Sequence, residues 1–258
     1  MAIERGFVTN SRVAVQPAIE MAGSIGLDYV EIMMHGTGHR TRLAPAAAEI
    51  RETLDDHGLS CVVHLPFSGI DLGSPHEHVQ RGAVEELRAS VRAAAQIGAR
   101  KGVIHPRSRA RDEADRARLM GDGLQEVVEI ASECDLEICA ENMFGGYATV
   151  HDTEDILART DASLTYDTGH GRIEGLEGEK AAAFLERHRE HISHVHLNDT
   201  VGKSDDHLPF GAGTLDFETV LAPLIEGPWN GTFSLEVGTQ NLDYIEHSTE
   251  HLDALLAR

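Results

Sequence analysis

Six acidic or histidine side chains in this sequence share one kind of position, at or next to the end of a short apolar run. They are His64, His105, Glu141, Asp167, His196 and Glu236. The run Cys-Val-Val precedes His64, for example, and Ile-Cys-Ala precedes Glu141. Carboxylates and imidazoles brought together would repel one another or stay unsatisfied without a cation, and their mixture suits Mn²⁺, Zn²⁺ or Mg²⁺. The pattern therefore predicts a divalent-metal site.

Three further candidate ligands follow in adjoining loops. His170 ends the run Asp-Thr-Gly-His, and Asp205 and His207 belong to Asp-Asp-His, where one turn can supply two ligands. The chain has sixteen histidines, so any single one is more often a solvated or core residue than a ligand. We interpret six of them in that way: His76, His78, His188, His191, His247 and His251. Equivalent positions at the ends of six consecutive runs are harder to reach by chance, which favours the metal site.

The sequence predicts that these residues are positioned by β-strands that alternate with α-helices. Short β-branched runs predict eight strands, at 3–8, 28–34, 60–65, 101–105, 136–141, 163–167, 193–197 and 231–236. Stretches suited to helices include 45–57, 78–98, 112–134, 180–191 and 242–257. Such alternation implies parallel βα units. Eight units in 258 residues predict an α/β fold, a (β/α)8 TIM barrel that forms a single domain over 1–258. A doubly wound open sheet is the alternative architecture.

A closed barrel would explain the shared position of the six strand-end residues. The carboxyl ends of all strands meet at one face of such a barrel, and active sites lie there. The third to the eighth strand would each deliver a His, Asp or Glu to the same bowl. The sequence has no complete dinucleotide loop, phosphate-binding loop or nucleophile elbow, so the metal site is the chemistry that it predicts.

The amino-acid composition indicates which kinds of partner and which cellular compartment to expect. Asp and Glu number 43 against 22 Lys and Arg, which gives a formal net charge of −21. An acidic surface is expected in a salt-rich cytoplasm, where charge keeps proteins soluble, and it counts against nucleic acid, whose phosphates bind Lys and Arg. No signal-like N-terminus and no apolar stretch of about 20 residues stands out. We therefore expect a cytoplasmic protein without a membrane partner.

Three local runs resemble the superfamily of xylose-isomerase-like barrels, which includes sugar isomerases, sugar 3-epimerases and AP endonucleases of the endonuclease IV type. The segment His64-Leu-Pro-Phe-Ser-Gly-Ile-Asp-Leu-Gly-Ser-Pro is similar to the H-x-P-Y…I-N-L-x-S-P segment of the endonucleases. Glu141-Asn-Met-Phe-Gly is similar to their E-N-x-x-G, and His196-Leu-Asn-Asp to their H-L-N-D. The resemblance extends over nearly the whole chain.

The resemblance implies two alternative ligand sets. In the epimerases and isomerases, residues at the ends of strands five to eight hold one metal ion, and the matching residues here are Glu141, Asp167, His196 and Glu236. In endonuclease IV a set of nine ligands holds three zinc ions. The nine matching residues are His64, His105, Glu141, Asp167, His170, His196, Asp205, His207 and Glu236. The cofactor expected is thus one Mn²⁺ or Zn²⁺ in an isomerase, or up to three Zn²⁺ in an endonuclease-like enzyme.

Two segments depart from the endonuclease pattern. Gly6-Phe-Val-Thr-Asn stands where that family has G-A-H-V-S-x-x-G-G, and Met34-His-Gly-Thr-Gly-His replaces its F-T-x-N-x-R-x-W loop. Those loops engage DNA in the endonucleases. Their replacement, together with the net charge, counts against duplex DNA as a partner.

The first functional hypothesis is therefore a sugar or sugar-phosphate isomerase or epimerase. The resemblance implies that a metal polarises a ketose while Glu141 and Glu236 remove and return a carbon-bound proton. His170 and His207 would hold substrate oxygens. A substrate phosphate would meet one of three basic residues: Arg107, Arg172 or Lys203.

Two other hypotheses stay open. The second is a zinc-dependent phosphodiester hydrolase of the AP endonuclease type, in which Glu141 bridges two ions and a metal-bound hydroxide attacks phosphorus. The third is a metal-binding barrel without catalysis. The missing DNA loops favour the first hypothesis, with a small sugar as substrate, and the oligomeric state is left open, a homo-oligomer included.

Overall fold

Eight parallel strands form the centre of the computed structural model, which describes residues 3–145, 148–239 and 241–257. The strands are β1 Glu4–Phe7, β2 Tyr29–Met33, β3 Ser60–His64, β4 Ala99–Ile104, β5 Glu137–Glu141, β6 Ser163–Asp167, β7 Ile192–Leu197 and β8 Thr232–Leu235. Each lies within or within two residues of a run predicted from the sequence. The predicted domain, 1–258, includes Met1, Ala2 and Arg258, which lie outside the described residues.

Helices follow the strands around the outside. Within the described residues they are α1 Val15–Ser24, α2 Arg40–Leu43, α3 Ala47–His57, α4 Glu77–Gln96, α5 Glu113–Ser132, α6 Thr153–Arg159, α7 Thr168–Ile173, α8 Glu179–His188, α9 Phe217–Ile225 and α10 Asp243–Leu256. The five predicted helices correspond to α3, α4, α5, α8 and α10. Helix α9 was not predicted from the sequence. It has Pro223 inside it, and proline normally breaks a helix interior.

The strands pair in parallel in the order β1-β8-β7-β6-β5-β4-β3-β2. The remaining seam, between β1 and β2, is closed just beyond β1, where Val8 bridges Glu31 and the Thr9 N–H donates to the Glu31 carbonyl at 2.8 Å. The ring of strands confirms the (β/α)8 barrel and excludes the doubly wound open sheet. All eight strand carboxyl ends therefore face one side.

Alternate residues of each strand point outward or into the barrel, because side chains alternate along a strand. Outward residues such as Val30 and Ile32 join the core between the sheet and the helices. The interior contains a small separate apolar cluster of Tyr29, Val62 and Val103. Buried polar residues surround this cluster inside the barrel, among them Glu31, His194 and Ser234.

No helix of the described residues combines the length and the apolar character that crossing a bilayer would require.

Candidate functional site

A cavity of about 730 Å³ opens at the carboxyl ends of the strands. Seven of the nine ligand candidates line it: His64, His105, Glu141, His170, Asp205, His207 and Glu236. The other two, Asp167 and His196, are fully buried next to the lining residues. The fold thus brings all nine residues predicted from the sequence to one place.

The first group of ligand candidates consists of Glu141, Asp167, His196 and Glu236, each of which offers an atom within 4.8 Å of the others. The centre of the group is His196 Nδ1. It lies 3.3 Å from Glu141 Oε1, 3.1 Å from Glu236 Oε2 and 3.9 Å from Asp167 Oδ2. Three carboxylates and one imidazole thus converge on one buried point.

Glu141 also belongs to a second group, with the two histidines that end β3 and follow β4. Its Oε2 atom lies 3.0 Å from His105 Nε2 and 3.6 Å from His64 Nε2. The two carboxylate oxygens therefore face different groups, and this is the geometry that a bridging carboxylate needs.

A third group lies nearer the cavity mouth and consists of His170, Asp205 and His207. Asp205 Oδ2 is 2.9 Å from His207 Nε2 and 3.5 Å from His170 Nε2. His207 has a backbone φ of +46°, a conformation that costs energy for a residue other than glycine. It is held there in part because its Nδ1 atom lies 3.2 Å from the Glu236 carbonyl oxygen, with which it can hydrogen-bond.

Asparagine side chains orient Asp167 within the first group. The Asn198 amide donates to Asp167 Oδ2 at 2.7 Å, and the Asp167 N–H donates to Asn142 Oδ1 at 2.8 Å. Asp167 Oδ1 accepts the His170 N–H at 2.6 Å and so caps α7. A carboxylate held by several fixed donors is pre-oriented for binding.

The donor set fits a divalent cation. Among the described residues, the buried oxygens Glu141 Oε2, Asp205 Oδ1 and Glu236 Oε2 accept no hydrogen bond of good geometry. Buried carboxylate oxygens normally have partners, and those without them need an explanation such as an ion. Imidazole nitrogens mixed with carboxylate oxygens are typical of Zn²⁺ and Mn²⁺ sites.

Without an ion, the site is held together by pairs of imidazolium and carboxylate. Burial opposes the charged forms, but the nearby charges outweigh it. His196 and His207 lower the pKa of Glu236 to about 2, whereas Glu236 and Asp205 raise the pKa of His207 to about 10. Asp167 is the exception: burial raises its pKa to about 6, and the neighbouring Glu141 and Glu236 carboxylates add to this effect.

The three basic residues predicted to meet a substrate phosphate differ in position. Arg107 lines the cavity. The Arg172 guanidinium pairs with Glu177 instead, and Lys203 is exposed in the loop after β7; neither of them lines the cavity. The structure brings only Arg107 to the ligand groups.

Two buried residues beneath the site, Glu31 and His194, were not predicted from the sequence. Glu31 lies between the nitrogens of His194 and His196, at 3.0 and 3.1 Å. A signal was present, because a carboxylate in the middle of the apolar run Tyr-Val-Glu-Ile-Met is unusual for a barrel strand.

Comparison with known proteins gives three related findings. The family model described as xylose isomerase-like TIM barrel matches residues 19–255. An uncharacterized protein of Methanocaldococcus jannaschii is 30% identical over 234 residues, which are 85% of this chain and 78% of that protein. The L-ribulose-5-phosphate 3-epimerase UlaE of Escherichia coli is 24% identical over 87% of this chain and 82% of its own length.

A crystal structure of a D-tagatose 3-epimerase-like protein superposes with a TM-score of 0.87. It is 27% identical, and the match covers 99% of this chain and 97% of that one. Since coverage is nearly complete on both sides, the similarity extends over the whole barrel.

Proposed function

Because the chain belongs to the xylose isomerase-like TIM barrel family, we propose that it is a divalent-metal-dependent isomerase or epimerase of a small sugar or sugar phosphate. One observation carries the proposal. Glu141 and Glu236 approach the same nitrogen, His196 Nδ1, at 3.3 and 3.1 Å. Two carboxylates beside one buried point suit a reaction in which a carbon-bound proton is removed and returned.

The metal would be Mn²⁺ or Zn²⁺, held by Glu141, Asp167, His196 and Glu236. When bound, it would polarise the carbonyl of a ketose and so acidify the neighbouring C–H group. The other ligand candidates would then serve the substrate. His170 and His207 would hydrogen-bond its hydroxyl oxygens.

Proton transfer is assigned to the two glutamates. Despite burial, neighbouring imidazoles hold the pKa of both carboxyls below the usual value, so both are ionised at neutral pH. An ionised carboxylate is the form that a general base requires. One glutamate removes the proton and, in an epimerase, the other returns one to the opposite face of the carbon.

The remaining cavity wall suits a sugar. Phe67 and Phe144 line it and offer apolar faces to the C–H groups of a sugar, and Arg107 supplies a positive charge for a phosphate. Arg172 and Lys203 were alternative phosphate partners on sequence grounds. Their position outside the cavity lining makes Arg107 the preferred candidate.

Similarity to named epimerases supports the same reaction class. The Escherichia coli relative is an L-ribulose-5-phosphate 3-epimerase, and the solved structure with 27% identity is D-tagatose 3-epimerase-like. Both names refer to inversion at carbon 3 of a ketose. We therefore expect a ketose or ketose phosphate as substrate.

The test is exchange of a carbon-bound proton with solvent deuterium. The Mn²⁺-loaded protein is incubated in ²H₂O with ketopentoses, ketohexoses and their phosphates, and deuterium incorporation is followed by NMR. We expect exchange with at least one ketose, and its loss in Glu236→Gln. The matched control is Glu190→Gln, which changes an exposed carboxylate. Unchanged exchange in Glu236→Gln would refute the role of that glutamate.

A second candidate function is a zinc-dependent phosphodiester hydrolase, and one observation favours it. The nine ligand candidates form four overlapping groups, and Glu141 belongs to two of them. Paired ions that share a carboxylate can activate water and stabilise a leaving oxygen in phosphodiester cleavage. The replaced DNA loops favour a substrate smaller than duplex DNA.

The two candidates differ in metal content and activity. Protein purified without chelator is analysed for metals per chain and assayed with bis(p-nitrophenyl) phosphate and with duplex DNA containing an abasic site. One ion and no cleavage supports the epimerase. Three zinc ions with cleavage of either phosphodiester would replace it with the hydrolase.

A further inference from the structure

Glu31 places a carboxylate inside the barrel, directly below the candidate metal ligands. It is the middle residue of β2, and its side chain is fully buried. An isolated buried carboxylate is costly unless it is paired and hydrogen-bonded. The hydrogen-bond partners of Glu31 therefore indicate the role of this buried carboxylate.

The two oxygens of Glu31 have different partners. Oε1 lies 3.1 Å from His196 Nε2. Oε2 lies 3.0 Å from His194 Nε2 and accepts the Ser234 hydroxyl at 2.5 Å. No Lys or Arg of the described residues pairs with it. Its one link to the strand-end site is thus the imidazole of His196.

The partners of Glu31 show where the protons lie around it. An ionised carboxylate can only accept hydrogen bonds, so His194 carries a proton on Nε2 and donates it to Glu31 Oε2 at 3.0 Å. The other nitrogen of His194, Nδ1, lies 2.6 Å from the Thr232 hydroxyl, which also donates to the Ser193 carbonyl at 3.3 Å. Glu31 is therefore held as a pure acceptor.

The remaining oxygen of Glu31 determines the state of His196. A carboxylate at 3.1 Å from Nε2 keeps the proton on that nitrogen. Nδ1 is the nitrogen that faces Glu141, Asp167 and Glu236, and an ion bound among these carboxylates would replace its proton and take its lone pair. Carboxylates that accept the second N–H of a metal-binding histidine fix its tautomer and raise its basicity.

We propose that Glu31 is a positioning residue that fixes His196 in the Nε2–H tautomer, so that Nδ1 binds the metal ion. The proposal rests on the metal site assigned under the proposed function. It adds a residue from β2, a strand that contributes none of the nine ligand candidates. Below the metal ligands, Glu31 would thus support His196, and the side chains of His194 and Ser234 orient Glu31.

The experiment measures Zn²⁺ affinity by competition with a chromophoric chelator, and the protonation of His196 by ¹⁵N NMR of the Zn²⁺-loaded protein. The wild type is expected to show an Nε2–H signal that disappears in His196→Gln. Glu31→Gln keeps an acceptor but loses the charge, and should bind Zn²⁺ about 10-fold more weakly. Glu31→Leu removes the acceptor, and the loss should approach about 100-fold.

Thr249→Val is the matched control, because it removes a buried hydroxyl on α10 that donates to the Ile245 carbonyl at 2.9 Å and has no part in the contacts of Glu31. Its Zn²⁺ affinity should equal that of the wild type. A merely structural Glu31 would lower thermal stability but leave Zn²⁺ affinity and the His196 signal unchanged in the folded Glu31→Gln protein, and that result would overturn the proposal.

Two other results would also overturn it. A wild-type spectrum with the proton on Nδ1 of His196 does so even if Glu31→Leu fails to fold. A wild-type chain that binds no Zn²⁺ removes the metal site itself, and the proposed function with it. Tight binding by the wild type and by both Glu31 variants would leave the proposed function intact and reject only the role of Glu31.

Discussion

The Nε2 atoms of His64 and His105 lie 3.1 Å apart at the carboxyl ends of β3 and β4. Two histidine nitrogens bound to one tetrahedral zinc ion would be about 3.3 Å apart, given Zn–N bonds of about 2.0–2.1 Å. The pair is therefore spaced equally well for one shared ion and for a hydrogen bond between neutral rings. A zinc ion shared by His64 and His105 would support the hydrolase, whereas a hydrogen bond between the two rings would support the epimerase.

Substitution of one histidine in this pair should leave the tightest metal site intact. We expect His105→Gln to keep one ion in the group around His196, because His105 is not a member of that group. At excess Zn²⁺ it should bind one ion fewer than the wild type. Metal analysis after dialysis against graded free Zn²⁺ gives both numbers.

The control for this variant is His78→Gln, which changes an exposed histidine on α4 and should match the wild type throughout. Loss of the tightest ion in His105→Gln would mean that the pair belongs to the primary site. That outcome would favour the hydrolase.

The stability of metal-stripped protein should fall on both sides of a pH window. The pKa of Glu236 is lowered from 4.5 to about 2, so its contribution is present above pH 4.5 and disappears as the pH falls towards 2. The pKa of His207 is raised from 6.5 to about 10, so its contribution is present below pH 6.5 and disappears as the pH rises towards 10. Urea unfolding across this range measures both limbs.

Zn²⁺ should remove the alkaline limb, because the ion replaces the proton as the partner of the carboxylates. His207→Gln should make the same limb less steep in the stripped protein, while His170, whose pKa is raised to about 12 by Asp167 and its other carboxylate neighbours, still contributes. A free energy of unfolding that stays level between pH 6.5 and 10 in the stripped wild type contradicts the raised pKa of His207.

Gly169→Ala should disturb Asp167 through Asn198. A Cβ atom at Gly169 would lie 2.1 Å from Asn198 Oδ1, so the amide that supports Asp167 must move. We expect a stability loss of about 1–3 kcal/mol from overpacking and Zn²⁺ affinity lower by about 10-fold. Thermal unfolding and chelator competition measure the two effects.

Gly82→Ala is the matched control for that substitution. Gly82 lies exposed in α4 with open space where a Cβ would be. Alanine there should stabilise the protein by about 0.5–1 kcal/mol and leave Zn²⁺ affinity unchanged. Equal effects of the two alanines would argue against a special role for Gly169.

Salt should stabilise the fold. A net charge of −21 favours unfolding through self-repulsion, and ions screen that repulsion. We expect Tm to rise steeply from low to molar KCl. A Tm that is indifferent to KCl would reject the prediction of a protein adapted to a salt-rich cytoplasm.

The strand positions and the family resemblance were predicted well from the sequence, and both are confirmed. Local patterning is strong in buried parallel strands, because they are nearly continuous apolar runs. Short or proline-containing helices were predicted less well. α6 has seven residues and α9 contains Pro223, and such segments are specified by packing on the sheet more than by helix propensity.

The sequence by itself determined which residues stand at the strand ends, because strand pattern and strand end are local properties. Only the tertiary structure decided how the nine candidates form four overlapping groups, and that Arg107 lines the cavity while Arg172 and Lys203 do not. It also brought Glu31 to His196, which is 165 residues away along the chain. Closure of the barrel and the register of its strands set such contacts across the interior, and neither can be read from one strand alone.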